Sequence, residues 1–305
     1  MGIALSLFEY AVEQKTFEIH GVKVGGEPGL IPTVMIGSIF YKGHSIVHDP
    51  GEGLFDEIRA EALVRGVEEQ SDLTGLPGMV DIVAENAVAA GRYIDFVAGV
   101  TDMPLVLDIP SDEAQVGVLQ YASDQGLLDR VVLNSLSPHS GSRVYEKIRE
   151  VGCSSAILLM YSTATLLSSD KSGLLEGMLP KVGEAGVGNI LVDTVVLDVP
   201  SLGLASKAVH RIKDRYGYPS GCGAHNSISS WRRLREKYKR GAVTSAVAVA
   251  NALPTALGAD FVIYGPIEIA GDVFPAVALV DAAYSQLQIE KRVRPGRDHP
   301  RYRIG

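Results

Sequence analysis

The chain alternates short, mostly apolar runs with longer segments of helical pattern. Strands of a parallel sheet are buried on both faces and have this near-continuous apolar character. The pattern therefore predicts eight buried parallel strands. They lie at residues 33–36, 79–83, 105–108, 131–134, 156–160, 190–193, 219–222 and 261–264.

The segments between the runs predict helices of roughly 10 to 20 residues each. Leu54, Ile58, Ala62 and Leu63 predict one apolar helix stripe, and the apolar residues 244–257 predict a largely buried helix. Strand–helix units that repeat roughly every 30 residues favour an α/β fold of the (β/α)₈ TIM-barrel type over an open doubly wound sheet. Because no linker interrupts the pattern, we expect residues 1–305 to form a single domain.

The two ends of the chain depart from this repeat. Residues 16–24 alternate apolar and polar positions around His20-Gly21, which predicts an N-terminal β-hairpin that covers the bottom of the barrel. Residues 290–305 are basic, contain proline and lack a helical period, so they are interpreted as a solvated tail or as an arm that wraps a neighbour.

Charge and cysteine content limit the partners and the cellular compartment that we expect for this protein. The net charge of −8 argues against nucleic acid as a partner. Two cysteines do not make a disulfide framework, which favours a reducing compartment. The apolar N-terminus lacks the basic region and cleavage site of a signal peptide, and no apolar run reaches the roughly 20 residues of a membrane span. We therefore expect a cytoplasmic protein with no transmembrane segment.

Polar side chains end several of the predicted strands. Ser38, Asp108, Asn134 and Asp193 follow the first, third, fourth and sixth strands, and Asn226 follows the seventh. In TIM barrels the chemistry lies at these carboxyl ends. Each residue also has a structural interpretation, because Asp commonly caps the next helix and Asn commonly closes a turn.

Together, these side chains suit a fused aminopyrimidinone ring. A carboxylate accepts two parallel hydrogen bonds from an N–H/NH₂ edge, much as it does from guanidinium. A carboxamide both donates and accepts, so it can read a carbonyl or a ring nitrogen. The sequence thus indicates a ring-binding cavity at the top of the barrel.

Three longer motifs carry a family resemblance. Residues 25–41 (GGEPGLIPTVMIGSIFY), 221–226 (GCGAHN) and 264–270 (YGPIEIA) resemble the H subunit of tetrahydromethanopterin S-methyltransferase and the related methyltetrahydrofolate:corrinoid methyltransferases. The resemblance covers about residues 17–283, nearly the whole chain. The order of Asp and Asn residues also resembles the wider family of pterin-binding barrels, which includes dihydropteroate synthase.

The resemblance implies a reaction: transfer of a methyl group between N5 of a methyl-tetrahydropterin and Co(I) of a corrinoid. By this resemblance, Asp108, Asn134, Asp193 and Asn226 contact the pterin. Asn226 lies near N5, while Asp108 and Asp193 hold the ring and bias its protonation. N5 is a poor leaving group unless it is protonated or strongly hydrogen-bonded, which is the catalytic task assigned to these three residues.

Ser38 and Gly221 complete the predicted pterin-binding set. The substrate is methyl-tetrahydrofolate or methyl-tetrahydromethanopterin, and the sequence does not choose between them. Residues 163–171 are shorter than in the family, so contacts to the substrate's tail are not carried over there.

The implied partners are a corrinoid-binding protein and, from the family, a second copy in a homodimer. The chain lacks the D-x-H-x-x-G pattern of corrinoid domains, so the corrinoid is expected on another polypeptide. The run 231–240 (WRRLREKYKR) carries six basic residues. It is interpreted either as an attractant for an acidic tail or partner, or as a solvated helix face.

Alternative functions remain open from the residues alone. One is a pterin-binding scaffold without turnover, acting within a larger complex. Another is chemistry like that of dihydropteroate synthase, although no Lys or Arg follows the seventh strand in the pattern expected for pyrophosphate binding. A third is zinc-dependent methyl transfer through Cys222 and His225, which would need further ligands that the sequence does not indicate.

Overall fold

The computed structural model of the protein describes residues 7–163, 167 and 170–305. Within them, parallel strands close an eight-stranded barrel, which confirms the predicted TIM-barrel fold. The barrel strands are β3 (Val34–Ile39), β6 (Gly78–Val83), β7 (Leu105–Asp108), β8 (Val131–Leu136), β9 (Ser155–Leu159), β10 (Asn189–Asp193), β11 (Ser220–Cys222) and β12 (Phe261–Pro266). They neighbour one another in chain order, and β12 closes the barrel against β3.

Helices surround the barrel, and two short antiparallel ribbons accompany them. The helices are α1 (Glu57–Thr74), α2 (Ala87–Val100), α3 (Asp112–Asp124), α4 (Ser142–Val151), α5 (Asp170–Glu184), α6 (Val199–Tyr216), α7 (His225–Ser230), α8 (Leu234–Lys237), α9 (Arg240–Ala256), α10 (Ala270–Glu290) and α11 (Pro300–Arg303). The antiparallel ribbons are β1 (Thr16–Ile19) with β2 (Val22–Gly25), and β4 (Val47–Asp49) with β5 (Leu54–Phe55). Among the described helices, none combines the length and the apolar character that a membrane crossing requires.

The predicted hairpin is present and closes the bottom of the barrel. His20 and Gly21 form its turn with positive φ values of 43° and 81°, which suits a two-residue hairpin loop. Ile19 and Val24 point into the barrel and are buried there. They pack against a layer of inward-facing strand residues, namely Val34, Ile36, Met79, Val106, Val132, Ile157, Leu191 and Phe261. The hairpin is therefore a hydrophobic plug.

Two helices bury other faces than the sequence predicts. In α1 the buried apolar side chains are Ala60, Val64 and Val67, whereas Ile58 is 83% exposed and Leu54 precedes the helix. The predicted stripe was wrong because it was anchored on a residue that belongs to a short strand. In α9 the apolar residues Val249 and Leu253 are exposed on the outer face. A helix of the outer layer covers the strands with one side only, which composition does not reveal.

The basic C-terminal segment folds back onto its own chain. His299 and Pro300 are buried, and Arg301 donates a hydrogen bond to Ser285 of α10 at 3.0 Å. Residues of this segment also lie against Gly75 at the end of α1. Part of the predicted tail is therefore packed rather than solvated, and this part wraps its own barrel rather than a neighbour.

Candidate active site

A polar cavity lies at the carboxyl end of the barrel strands. Its volume is about 250 Å³. The strands contribute Ser38, Asp81, Asp108, Asn134, Ser135, Leu159, Asp193, Ile263 and Gly265, and the loop after β11 and α7 contribute Gly223, His225 and Asn226. Five of the six residues predicted to bind a pterin therefore line one cavity.

The alternation of strand side chains explains this ring. Residues of the inner apolar layer, such as Val106 and Leu191, point into the barrel. Two positions farther along, Asp108 and Asp193 point the same way, because strand side chains repeat their direction with a period of two. Each strand thus adds an apolar residue to the core and then a cavity residue above it.

Gly221 is the exception among the predicted residues. It is buried in β11, and Gly223 and Gly265 are the glycines that line the cavity among the residues described. A Cβ on Gly221 would lie 2.1 Å from the carbonyl oxygen of Phe261 and 2.8 Å from its ring. Gly221 therefore makes room for the core packing of Phe261 below the cavity, and its direct contact with a ligand is not supported.

The helix caps are supplied by other residues than the cavity carboxylates. Ser111 caps α3 by accepting from the N–H of Ala114, and Asp198 caps α6 by accepting from the N–H of Ser201. These caps lie a few residues beyond Asp108 and Asp193. The structural interpretation of those two carboxylates as N-caps is therefore wrong, and their side chains are left for the cavity.

Asp81 is a cavity residue that the sequence reasoning missed. It is buried in β6, accepts a 2.6 Å hydrogen bond from the Ser38 hydroxyl, and accepts a 3.3 Å bond from the Asn134 amide. It lies within an apolar run rather than at its end, where polar residues were sought. A charged residue at an inward position of an apolar strand was the available signal.

Burial makes this cluster of carboxylates hard to ionise fully. Burial, together with the nearby charges of Asp81 and Asp193, raises the pKa of Asp108 to about 8. Burial also raises the pKa of Asp81 and that of Asp193, each to about 6. Around neutral pH this cluster of three carboxyl groups thus retains a proton, and Asp108 has the highest pKa of the three.

The loop after β10 orients two of the predicted residues. Asp193 accepts a 2.7 Å hydrogen bond from the N–H of Val195, and Asn226 donates its amide to the carbonyl of Val196 at 3.0 Å. Val195 has a φ of 59°, an uncommon conformation for a β-branched residue that often marks functional sites. With its Nδ2 held by the loop, Asn226 keeps Oδ1 as an acceptor for a ligand.

His225 and Cys222 have no further metal ligand grouped with them among the described residues. Within the described ranges, no group of three or more His, Cys, Asp or Glu side chains is placed to hold a metal ion. Burial raises the pKa of the Cys222 thiol well above its usual value, which keeps the sulfur protonated. The His225 ring instead fills the space that a Cβ on Gly265 would need, 2.3 Å from the ring.

The basic run lies next to the cavity on the outer surface. It follows β11 and α7, covers α8, and reaches the start of α9. Its arginines and lysines are exposed, and the rings of Trp231 and Tyr238 meet edge to face with centroids 6.0 Å apart. A cationic, partly aromatic surface therefore borders the open end of the barrel.

The sequence is similar over nearly its full length to one protein family. The sequence model of the family described as "Tetrahydromethanopterin S-methyltransferase MtrH subunit" matches residues 12–295. The H subunit of tetrahydromethanopterin S-methyltransferase from Methanothermobacter thermautotrophicus is 36% identical, over 98% of this chain and 100% of that protein. The H subunit of a putative mtx methyltransferase from Methanosarcina acetivorans is 35% identical, over 96% of this chain and 98% of that protein.

Solved structures show the same fold at low sequence identity. Yersinia pestis dihydropteroate synthase, in complex with a sulfonamide drug, superposes with a TM-score of 0.62 and 14% identity, over 89% of this chain and 100% of that chain. This similarity supports the fold alone. The segment 163–171, predicted to be shorter than in the family, lies partly outside the described residues.

Proposed function

The chain belongs to the MtrH family of tetrahydromethanopterin S-methyltransferase subunits, and we propose that it moves a methyl group between N5 of a methyl-tetrahydropterin and the Co(I) of a corrinoid carried by a partner protein. The observation that carries the proposal is the ring of buried carboxylates and carboxamides at the top of the barrel. Together with the family membership, it favours a methyltransferase over a scaffold without turnover.

The cavity suits the aminopyrimidinone edge of a pterin. Asp193, largely ionised at neutral pH, accepts two parallel hydrogen bonds from an N–H/NH₂ edge. Asn134 donates its amide at 3.3 Å to Asp81, which fixes its orientation and leaves its carbonyl oxygen as an acceptor for a ring N–H. Ser38 in turn donates to Asp81 and holds it in place.

The methyl transfer is a displacement at carbon that Asn226 and Asp108 assist. The bond between N5 and the methyl carbon breaks, the electron pair stays on N5, and the new bond forms to the Co(I) that the partner supplies. Protonated N5 is the better leaving group. Asp108 carries a proton at neutral pH and is the group in the cavity able to share it. Asn226 accepts from the resulting N5–H through Oδ1.

The partner protein is proposed to dock over the open end of the barrel, beside the basic run. The run carries six basic residues, so it forms a positively charged patch on a chain whose net charge is −8. Such a patch steers an acidic partner toward the cavity and makes association depend on salt. Rising ionic strength should therefore slow transfer to a protein-bound corrinoid more than transfer to free cobalamin.

The homodimer that the family resemblance implies is retained as a proposal. The outer face of α9 offers a surface for it, because Val249 and Leu253, and Leu257 directly after the helix, recur at every fourth position and are exposed. A Leu253→Glu change should shift the mass measured by light scattering from dimer to monomer. An unchanged mass would place the contact elsewhere.

The test of the proposed reaction is methyl transfer to free Co(I) cobalamin, followed by the visible spectrum of cobalt. We expect conversion with methyl-tetrahydromethanopterin, the pterin in the family's name, or with methyl-tetrahydrofolate. Asn226→Ala should lower the rate roughly 10²- to 10³-fold, as removal of a transition-state hydrogen bond does. Asn189→Ala is the matched control, because that amide bonds Ser155 at the far end of the barrel.

Calorimetry separates the remaining outcomes. Binding of a tetrahydropterin without transfer in either assay, with free or protein-bound corrinoid, would favour the scaffold role. Absence of both binding and transfer for both pterins would make the proposed function wrong.

A further inference from the structure

A second cavity adjoins the carboxylate cavity at the top of the barrel. Its volume is about 230 Å³, and it lies between the loops that follow β3, β6 and β7. Asp108 lines both cavities, so the two meet at this side chain. The remaining lining residues are Phe40, Lys42, Pro50, Val83, Ala84, Glu85, Tyr93 and Pro110.

The walls of this second cavity are largely aromatic and apolar. The rings of Phe40 and Tyr93 stack with centroids 4.0 Å apart and planes inclined by 10°. Phe40 has a φ of 62° and is held in this conformation by a hydrogen bond from its N–H to Nδ1 of His44 at 3.1 Å. A strained, well-anchored aromatic wall beside a cavity suits a flat apolar group.

One polar group on these walls is buried without a hydrogen bond. Tyr93 is 1% exposed, and its hydroxyl has no partner among the residues that the structure describes. Leaving a buried hydroxyl unpaired is unfavourable, so such groups in native proteins usually bind a water or a ligand. The second cavity thus combines an apolar wall with one unpaired hydrogen-bonding group.

Apart from Asp108 at the inner end, the charged residues of the described lining lie toward the mouth of this cavity. Lys42 and Glu85 are exposed, on the loops after β3 and β6. A ligand that extends from Asp108 along the aromatic wall would therefore reach a cation where it meets solvent. An acidic end group is the chemistry that Lys42 would attract.

We propose that the second cavity binds the aryl arm that a tetrahydropterin carries at C6. This inference rests on the proposed function, because it takes the pterin ring to occupy the adjoining carboxylate cavity. The flat arylamine lies along the wall formed by Phe40 and Tyr93, and the Tyr93 hydroxyl hydrogen-bonds a polar atom of the arm. Lys42 pairs with an acidic group farther along the arm. Because tetrahydrofolate and tetrahydromethanopterin both carry an arylamine there, the site recognises what the two share.

The experiment compares a pterin that has the arm with one that lacks it. Binding of tetrahydrofolate, tetrahydromethanopterin and 6-methyltetrahydropterin is measured by calorimetry on the full chain. Tyr93→Phe keeps the ring stack and removes the hydroxyl, so it should weaken binding of the arm-bearing pterins about fivefold. It should leave the affinity for 6-methyltetrahydropterin unchanged. Tyr216→Phe is the matched control, because that hydroxyl bonds Glu176 on the outer helices.

A second variant tests the mouth of the cavity without touching buried packing. Lys42→Ala should weaken the arm-bearing pterins about threefold at low salt and less at high salt. Lys23→Ala, on the hairpin at the opposite end, should have no effect.

Three results would overturn the inference. Unchanged affinity of both arm-bearing pterins in both variants would place the arm elsewhere. Equal weakening of 6-methyltetrahydropterin would assign Tyr93 to the ring instead. If 6-methyltetrahydropterin and the arm-bearing pterins all fail to bind the unaltered protein, the proposed function itself fails, and this inference fails with it.

Discussion

Both ends of the barrel bury aspartates, but the two ends differ in the partners that these carboxyl groups have. At the bottom, Asp260 accepts from the ammonium of Lys213 and from the N–H of Ser220, and the hairpin seals the layer above it. At the top, the Asp108 carboxyl is bonded by no group in the described part of the chain, although burial raises its pKa to about 8. Asp260 at the bottom therefore has partners within the protein, whereas Asp108 at the top has none among the described residues.

The difference separates stability from function within one fold. Asp281, also at the bottom, accepts 2.7 Å and 3.0 Å bonds from the N–H and hydroxyl of Thr33, so two donors come from a single neighbour. The top instead gathers Asp81, Asp108 and Asp193 around open space, which lowers the stability of the free protein. In a TIM barrel the carboxyl end can tolerate this loss of stability, because residues at the other end stabilise the barrel.

The largest effect should come from breaking the ion pair at the bottom. Lys213→Met leaves the Asp260 carboxylate buried without its cation, which should lower the free energy of unfolding by about 3–5 kcal/mol. Urea unfolding followed by circular dichroism measures this. Arg215→Ala breaks an exposed pair with Glu176 and should cost about 1 kcal/mol or less. Similar losses of stability in the two variants would contradict the larger contribution expected of the buried pair at the bottom.

A substitution in the hairpin plug should lower the free energy of unfolding slightly less than Lys213→Met does. Ile19→Ala removes a side chain that is 1% exposed and opens a cavity in the inner layer, at a cost of about 2–4 kcal/mol. Ile58→Ala is the control of equal size, and its loss should be below about 0.5 kcal/mol because that residue lies on the surface. If Ile19→Ala is as mild as its control, the hairpin does not seal the barrel.

A change at the top should have the opposite sign. The pKa of Asp108 rises on folding from an ordinary 3.8 to about 8, so its contribution to stability is complete below the unfolded value and is lost as the pH rises through about 8. Asp108→Asn removes this titration. The variant should be more stable than the unaltered protein at about pH 8, and this gain should be much smaller at about pH 4, as measured by thermal unfolding.

The same variant should lose methyl transfer at every pH, because its amide does not release a proton to N5. In the unaltered protein, the rate should fall as the pH rises above about 8, where Asp108 ionises. A stable Asp108→Asn variant with an unchanged rate would contradict the proton-carrying role while leaving the comparison of the two ends intact.

The smallest effect is expected at Thr33. Thr33→Val removes the hydroxyl bond to Asp281 but keeps the backbone N–H bond, so the loss should be about 1 kcal/mol. Differential scanning calorimetry at about pH 8 and about pH 5 would detect it. A loss as large as that of Lys213→Met would mean that the backbone N–H of Thr33 alone does not stabilise the buried Asp281 carboxyl.

Much of the fold and part of the site could be predicted from the sequence. The apolar runs predicted every barrel strand to within a few residues, because a strand buried on both faces needs continuous apolar character. The alternation around His20-Gly21 predicted the hairpin. Polar residues at the ends of runs predicted that Asp108, Asn134 and Asp193 would meet, since parallel strands bring their carboxyl ends to one edge. Their roles toward a pterin remain predictions.

Other features could not be predicted from the pattern. Asp81 lies inside a run, so only the inward direction of its side chain reveals that it belongs to the cavity. Gly221 was predicted to contact the ligand. In the structure, the lack of a side chain at Gly221 makes room for Phe261 on the neighbouring strand. The apolar composition of α9 indicated burial, yet its outer face is exposed.

The sequence by itself determined which segments become strands and helices and which polar residues end them, because these depend on local periodicity and burial. The tertiary structure decided which aspartates are satisfied and which are not. That depends on neighbours distant along the chain: Lys213 beside Asp260, Thr33 beside Asp281, and no such donor beside Asp108 in the described residues. A pKa near 8 and an adjoining aromatic cavity arise only when closure of the barrel brings three loops around one carboxylate.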